Sequence, residues 1–288
     1  MTTSATDPAP SATATLTLNN GVAIPRIGFG VFQIPLEATQ RAVEEALAVG
    51  YRHIDTAAAY NNEAGVGAAL RASGLPRKDV FITTKLRNGD QGKDTALRAY
   101  DDSCARLGLD FIDLYLIHWP YPSADRYVES WAAMGRICRE QRVRSIGVSN
   151  FLIEHLDRLA EETDIVPAVN QIELHPTYQQ PKLSNSCRER GIVVEAYSPL
   201  GQAADLALPV VREIAERHDT SAAQVVLRWH VQSSRVAIPK SATPDRIRSN
   251  HDLDSFQLTE EDMTAMAAQD RDNRIGGDPQ TFSLSQIR

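Results

Sequence analysis

The sequence predicts a single α/β domain: a closed (β/α)8 TIM barrel, preceded by an N-terminal β-hairpin and followed by extra C-terminal helices. Three observations carry that expectation. Short apolar stretches alternate with helical ones, and eight strand–helix units are counted from Ile27 onward. The strands read as apolar on both faces, with apolar interiors, as a buried parallel sheet requires. A doubly wound sheet would carry a G-x-G-x-x-G after an early strand, and the GFG at Gly28 to Gly30 is too short to serve. The 288 residues, 42% of them hydrophobic, suffice to enclose such a core in one domain.

The elements follow in order. Residues 1–14, MTTSATDPAPSATA, are small and polar and are expected to form a disordered tail, leaving 15–288 as the barrel domain. TLTL alternates, Asn20-Gly21 is a turn signal, and VAI resumes a strand, which together read as a hairpin. Strands are then expected at 26–31, 51–55, 80–85, 111–117, 144–148, 168–173, 192–196 and 236–239. Helices are expected at 37–49, 63–72, 95–107, 127–140, 153–162, 181–190, 210–218, 221–232, 245–250 and 259–269. Apolar residues at helical spacing define each inner face, as Ala42, Val43, Ala46 and Leu47 do in the first. Gly50, Gly74, Gly108 and Gly191 sit where helices stop.

The formal net charge of −7 argues against a nucleic-acid or membrane-surface binder, either of which needs a basic face. Cys104, Cys138 and Cys187 have no metal-ligand spacing and read as reduced thiols of a cytoplasmic protein. The first residues lack the basic and apolar regions of a secretory signal, and no apolar run is long enough to span a bilayer.

Function is expected at the C-terminal ends of the barrel strands. Those ends carry His53 and Asp55, Lys85, His118, Ser149 and Asn150, Gln171 and Glu173, Tyr197 and Ser198, and Lys240 and Ser241. Polar residues recurring at one rim, strand after strand, are poorly explained by packing alone. Two chemistries fit. In metal-dependent hydrolysis, His53 and Asp55 project to one side of a strand, with His118, Glu173 and His175 as further ligands. In proton-coupled hydride transfer, a carbonyl needs a proton donor, a group that tunes the donor, and a group that orients the substrate. Tyr60 fits as the acid, its ordinary pKa of about 10 expected to be lowered by the Lys85 ammonium. Asp55 would hold Lys85 charged, and a neutral His118 would orient the carbonyl.

The motifs GFGVFQIP, GYRHIDTAAAYNNEAGVG, FITTKL, DLYLIHWP, GVSNF, AVNQIELHP, AYSPLGQ and IPKSATPDRIRSN resemble the aldo-keto reductase family, over about residues 15 to 282. Within it the chain is most similar to bacterial 2,5-diketo-gluconate reductases, including its short RIGGDPQTF end. The resemblance implies an NADPH-dependent reductase of aldehydes or ketones, with Asp55, Tyr60, Lys85 and His118 as the catalytic tetrad and no metal. It implies that Ser149, Asn150 and Gln171 hold the nicotinamide carboxamide and that Tyr197 stacks on its ring. Ser198, Leu200 and Gly201 would follow the pyrophosphate, Lys240, Ser241 and Arg246 would take the 2′-phosphate of NADP(H), and Asn250 the adenine. Read from the residues alone, Lys240, Ser241 and Arg246 bring two cations and a hydroxyl together, a good phosphate site, or form a solvated basic helix start.

Two positions depart from the family pattern. Ser249 stands where the family usually has Glu, which weakens an adenine contact. Arg87 replaces an aromatic pocket residue; it either favours an anionic substrate or is an exposed loop arginine. Phe32, Trp119 and the loop around Tyr121 are expected pocket walls. Physiological substrate and reaction direction are not encoded in these motifs. The chain is expected to act as a monomer on a small carbonyl compound. The rivals are the metal-dependent hydrolase and a cofactor-binding redox sensor with little turnover.

Overall fold

The computed structural model of the chain describes residues 10–283. Two short strands, β1 (Thr15–Thr17) and β2 (Ala23–Pro25), pair antiparallel around Gly21, whose φ of 84° the turn requires. Eight strands follow: β3 (Phe29–Gly30), β4 (His53–Asp55), β5 (Phe81–Leu86), β6 (Ile112–Ile117), β7 (Val143–Ser149), β8 (Val169–Glu173), β9 (Val193–Tyr197) and β10 (Val236–Ala237). They form one parallel sheet in sequence order. A parallel bridge between Ile27 and Ala237 joins the first to the last and closes the ring. Gly28 N donates to Ala237 O at 2.9 Å and Gly30 N to Pro239 O at 3.1 Å across that seam. The two glycines have a steric reason. A Cβ on Gly28 would stand 2.7 Å from the His53 ring, and one on Gly30 would stand 3.1 Å from Ile238 O.

The expected helices are present. The outer ring contains α1 (Leu36–Val49), α2 (Glu63–Ser73), α3 (Lys93–Leu107), α4 (Tyr127–Arg139), α5 (Ile153–Glu162), α6 (Pro181–Glu189) and α8 (Ala222–Gln232). The helix α9 (Pro244–His251) follows β10 and completes the ring between α8 and α1, and the additions are α7 (Pro209–Arg217) and α10 (Glu260–Ala267). Asp262 at the start of α10 accepts from His218 just after α7 at 2.8 Å, which docks the last helix. The main core lies between strands and helices and includes Val43, Ile82, Tyr115, Trp131, Val148, Leu227 and Trp229, all essentially inaccessible. A second cluster fills the barrel floor: Leu18 and Ile24 of the hairpin pack on Phe81, Leu114, Val169 and Val236. The hairpin is thus the plug at the end opposite the polar rim.

Three findings differ in detail from the sequence reading. The strands at the seam are shorter than expected, two residues each, because their ladder pairing with the neighbouring strands is confined to Phe29–Gly30 on β4 and Val236–Ala237 on β9. The strand interiors are not wholly apolar. Thr83, Asp113, Ser145, Asn170 and Glu195 are buried within them, and each is tolerated because it has a hydrogen-bond partner. Of the expected tail, residues 1–9 lie outside the described residues, and residues 11–13 rest on the barrel. Ser11 Oγ and Ala12 N both donate to Asp254, and Ala12 is fully buried.

Gly67, in α2, packs directly on the end of α3: a Cβ there would overlap the carbonyl oxygen of Leu107. A backbone obstacle cannot swing aside. Gly67→Ala is expected to destabilise the fold by about 1–3 kcal/mol, read as a lower urea midpoint with an unchanged slope.

Candidate active site

Asp55 is the last residue of β4, and Lys85 lies near the end of β5. His118 follows β6 directly, its N–H bonded to Leu86 O at 3.1 Å. Tyr60 is on no strand. It sits in a single 3-10 turn, Ala58–Tyr60. Asn62 folds that loop back over the barrel mouth: its Nδ2 donates to Val31 O at 3.0 Å and Ile34 O at 3.1 Å, and its Oδ1 accepts from Thr56 Oγ1 at 2.8 Å. Asn61 takes a left-handed φ of 56° to complete the turn.

The four residues meet. Lys85 Nζ donates to Asp55 Oδ1 at 2.7 Å, to Asp55 Oδ2 at 2.9 Å and to Thr56 O at 2.9 Å, with the ammonium fully buried. Nζ stands 5.1 Å from the centre of the Tyr60 ring, and the Tyr60 and His118 rings meet edge to face at 5.6 Å. Burial pushes Lys85 down, but Asp55 and then Tyr60 outweigh it, and the ammonium is held above its ordinary value. His118 is driven down to about 3 by burial and then by Lys85, so its ring is neutral, and its Nδ1 has no hydrogen-bond partner. Tyr60 departs from expectation. Lys85 does pull it down, but burial exceeds that pull, and the phenol lies above its ordinary value. Desolvation, which residue types alone do not show, decides the direction.

A further layer escaped the sequence reading. Gln171 Nε2 donates to Asp55 Oδ2 at 2.8 Å and to Glu195 Oε2 at 2.9 Å. Glu195 is inaccessible, and burial followed by the nearby Asp55 raises its carboxyl to about 8. His53 is bonded to Thr83 Oγ1 at 2.9 Å and lies 3.6 Å from Glu195; burial and then Lys85 push it down to about 3. A Glu in the apolar run VVEAY was the available signal.

The residues expected to hold a nicotinamide adjoin this centre. Ser149 Oγ donates to Gln171 O at 2.9 Å, and Asn150, at φ 64°, donates to His118 O at 3.0 Å. Tyr197 OH donates to Asn150 Oδ1 at 2.8 Å. Beyond it, Gly201 N closes a turn on Ser198 O at 2.9 Å, with Leu200 half-buried between them. Lys240 and Arg246 are exposed and flank Ser241, whose hydroxyl accepts from Thr243 N at 3.0 Å. Asn250 is buried one turn beyond Arg246, and Ser249 Oγ bonds back to Arg246 O at 3.4 Å.

Phe32 is half exposed, with its ring 5.0 Å from that of Tyr60. Trp119 stacks on Phe282, centroids 3.7 Å apart and 9° from parallel. Arg87 is placed otherwise: its guanidinium is forked onto Asp90 at 3.0 Å, and it lines a cavity of about 280 Å³ with Ala58, Asn61 and Arg98 that includes no tetrad residue.

Glu173 and His175 serve the C-terminal segment. Glu173 accepts from Ile275 N at 2.6 Å and Gly276 N at 2.7 Å, and His175 bridges Glu173 at 3.2 Å and Asp205 at 2.8 Å. The hydrolase alternative offered both as further ligands beside His53, Asp55 and His118. Among the described residues, no group of three or more His, Cys, Asp or Glu is placed to hold a metal ion. Burial opposes protonation of His175, but Asp205 and Glu173 hold it up to about 9. A histidine raised on folding contributes fully below its unfolded value of about 6.5 and loses that contribution as pH passes its folded value. Amide exchange at Ile275 and Gly276, corrected for intrinsic rate, should therefore accelerate from pH 7 to 9. The His175→Gln variant should lack this pH dependence.

The aldo/keto reductase family model matches residues 26–271. An aldo-keto reductase of Mycolicibacterium smegmatis is 52% identical over 94% of this chain and 98% of its own. A glyoxal reductase of Bacillus subtilis is 46% identical over 92% of this chain and 96% of its own. Among solved structures, a mutant of Gox0644 in complex with NADPH superposes with a TM-score of 0.92 at 43% identity, over 95% of this chain and all of that one. With its ring of eight parallel strands and the Asp55–Lys85 pair beneath Tyr60 and His118, the chain belongs to the aldo/keto reductase family.

Proposed function

We propose that this protein reduces an aldehyde or ketone to the alcohol with NADPH, and that Tyr60 is the proton donor. The observation that carries the reading is the buried Lys85–Asp55 pair set under Tyr60, next to a neutral His118. Bound NADPH would supply the hydride to the carbonyl carbon. The chain's own residues do the rest. Tyr60, above its ordinary pKa, keeps its proton at neutral pH until negative charge develops on the carbonyl oxygen. It then transfers that proton to the oxygen, and the Lys85 ammonium stabilises the phenolate left behind. His118, uncharged, offers an N–H to the same oxygen without competing as an acid. Water later returns a proton to Tyr60.

The residues fit the cofactor. Gln171, Asn150 and Ser149 group hydrogen-bonding side chains beside the tetrad. Lys240 and Arg246 present exposed cations around the Ser241 hydroxyl on a chain of net charge −7, which suits the 2′-phosphate of NADPH. Phe32 and Trp119 would wall a site for a small carbonyl compound, in keeping with a 46%-identical glyoxal reductase. Arg87 is half exposed and forked onto Asp90, away from the tetrad, so the reading does not require an anionic substrate. We further propose that a keto sugar or diketone is accepted and that the enzyme works in the cytoplasm as a monomer. Three free cysteines support a reducing compartment.

Tyr60→Phe is expected to lower kcat by about 10²–10⁴-fold while NADPH titrated by fluorescence still binds; loss of cofactor binding would count against the assignment. Replacing Lys240 or Arg246 by Ala should raise the KM for NADPH roughly tenfold or more, since a charge-assisted hydrogen bond is at stake. The KM for NADH should be nearly unchanged, and turnover should persist in excess chelator.

A further inference from the structure

We infer that the end of the barrel opposite the catalytic rim carries a second ligand site, independent of the cofactor reading, which takes a phosphate dianion, free or as the monoester of a small organic molecule.

The site is a cavity of about 370 Å³ beside the hairpin, within the size range of small-molecule pockets. It is built at the N-terminal ends of the strands. Arg52 directly precedes β4, Lys78 and Asp79 lie just before β5, and Arg144 is the second residue of β7. The hairpin supplies a wall. Leu16 and Ile24, partners in its register, pack on the barrel floor, and strand alternation sends Thr15, Ala23 and Pro25 to the other face, where they line the cavity. Ile27 and Phe81 add further apolar surface.

Charge does not balance here. Lys78 is exposed and, among the described residues, has neither a carboxylate nor a hydrogen-bond partner for its ammonium. Arg52 Nη1 donates to Leu47 O at 3.0 Å and to Tyr51 O at 2.8 Å, which orients the guanidinium without neutralising it. Arg144 pairs with Asp113 Oδ1 at 2.7 Å, but Arg77 takes the other oxygen of that carboxylate at 2.5 Å. One carboxylate thus serves two guanidinium groups. With Asp79 counted, the four cations keep an excess of two positive charges, on a chain of net charge −7. His251 also lines the cavity; burial first holds it below its ordinary value, so it adds no charge at neutral pH. Other surface arginines are treated differently: Arg126, Arg136, Arg217 and Arg248 each reach a carboxylate of their own chain neighbourhood or of a packed helix.

Two excess charges, a guanidinium already oriented by backbone and a free ammonium suit a phosphate dianion. A single carboxylate would balance only one of them. In an ester, the organic part would lie on the wall that Pro25 and Phe81 provide.

The test titrates phenyl phosphate and inorganic phosphate into the full chain by calorimetry at about pH 8, where phosphate is dianionic, with and without saturating NADPH. One equivalent is expected to bind in both conditions. Lys78→Glu replaces an exposed side chain that has no partner, and it should weaken binding about tenfold or more. Lys78→Gln, should the first variant not fold, should weaken it by a smaller factor. Affinity unchanged in either folded variant would overturn the inference, as would a wild-type chain that binds no phosphate. Binding that disappears once NADPH is present would also overturn it, because the anion would then sit at the cofactor rim. Phenyl phosphate binding about tenfold tighter than inorganic phosphate would support the inference with an ester as ligand, and equal affinities would support it with free phosphate.

Discussion

The site depends on one buried ion pair. Removing an ammonium and a carboxylate from water costs several kcal/mol for each ion, and Lys85 and Asp55 both lie out of solvent. The arrangement holds only because the hydrogen-bonding capacity is used. Lys85 finds three acceptors in the two Asp55 oxygens and Thr56 O, and Asp55 gains a further donor from Gln171. The fixed positive charge then sets the state of its neighbours. It helps keep His118 and His53 neutral, and it opposes the effect of burial on Tyr60.

Strands supply the rigidity of that centre, and loops supply its reach. Asp55, Lys85 and Gln171 are fixed by the sheet ladder, whose register leaves little freedom. Tyr60 must approach from outside the barrel, and the ladder does not reach it. Asn62 substitutes for the ladder, bonding the loop to the backbone at Val31 and Ile34. A side-chain amide can satisfy a backbone carbonyl where no strand is available. The C-terminal segment is held the same way, by the Glu173 carboxylate on two successive N–H groups.

Much of this was legible in the sequence because a parallel barrel converts chain order into position. A polar residue at the end of an apolar run must appear at the rim, so the places of Asp55, Lys85 and His118 follow from chain order alone. Helix limits are legible to within a residue or two wherever glycine ends the pattern, as at Gly50 and Gly108. What stayed hidden depends on pairings distant along the chain. Glu195 matters through Gln171 and Asp55, and Asp205 through His175 and Glu173. The state of the Tyr60 phenol was hidden for a related reason: charge can be read from residue names, but desolvation is a property of the assembled site. Arg87 gave no sign in sequence that Asp90 would claim its guanidinium.

The closing seam has a mechanical consequence. It is the barrel's shortest run of pairing, a single bridge between Ile27 and Ala237, and Gly28 and Gly30 allow the close backbone contact there. Phe32 follows one of its strands and Lys240 the other. The residues proposed to hold a dinucleotide come from the ends of β7, β8 and β9 and from the stretch after β10. A ligand bound there would brace the Lys240 side of the join, and because it binds only the folded chain it would stabilise the barrel as well as react.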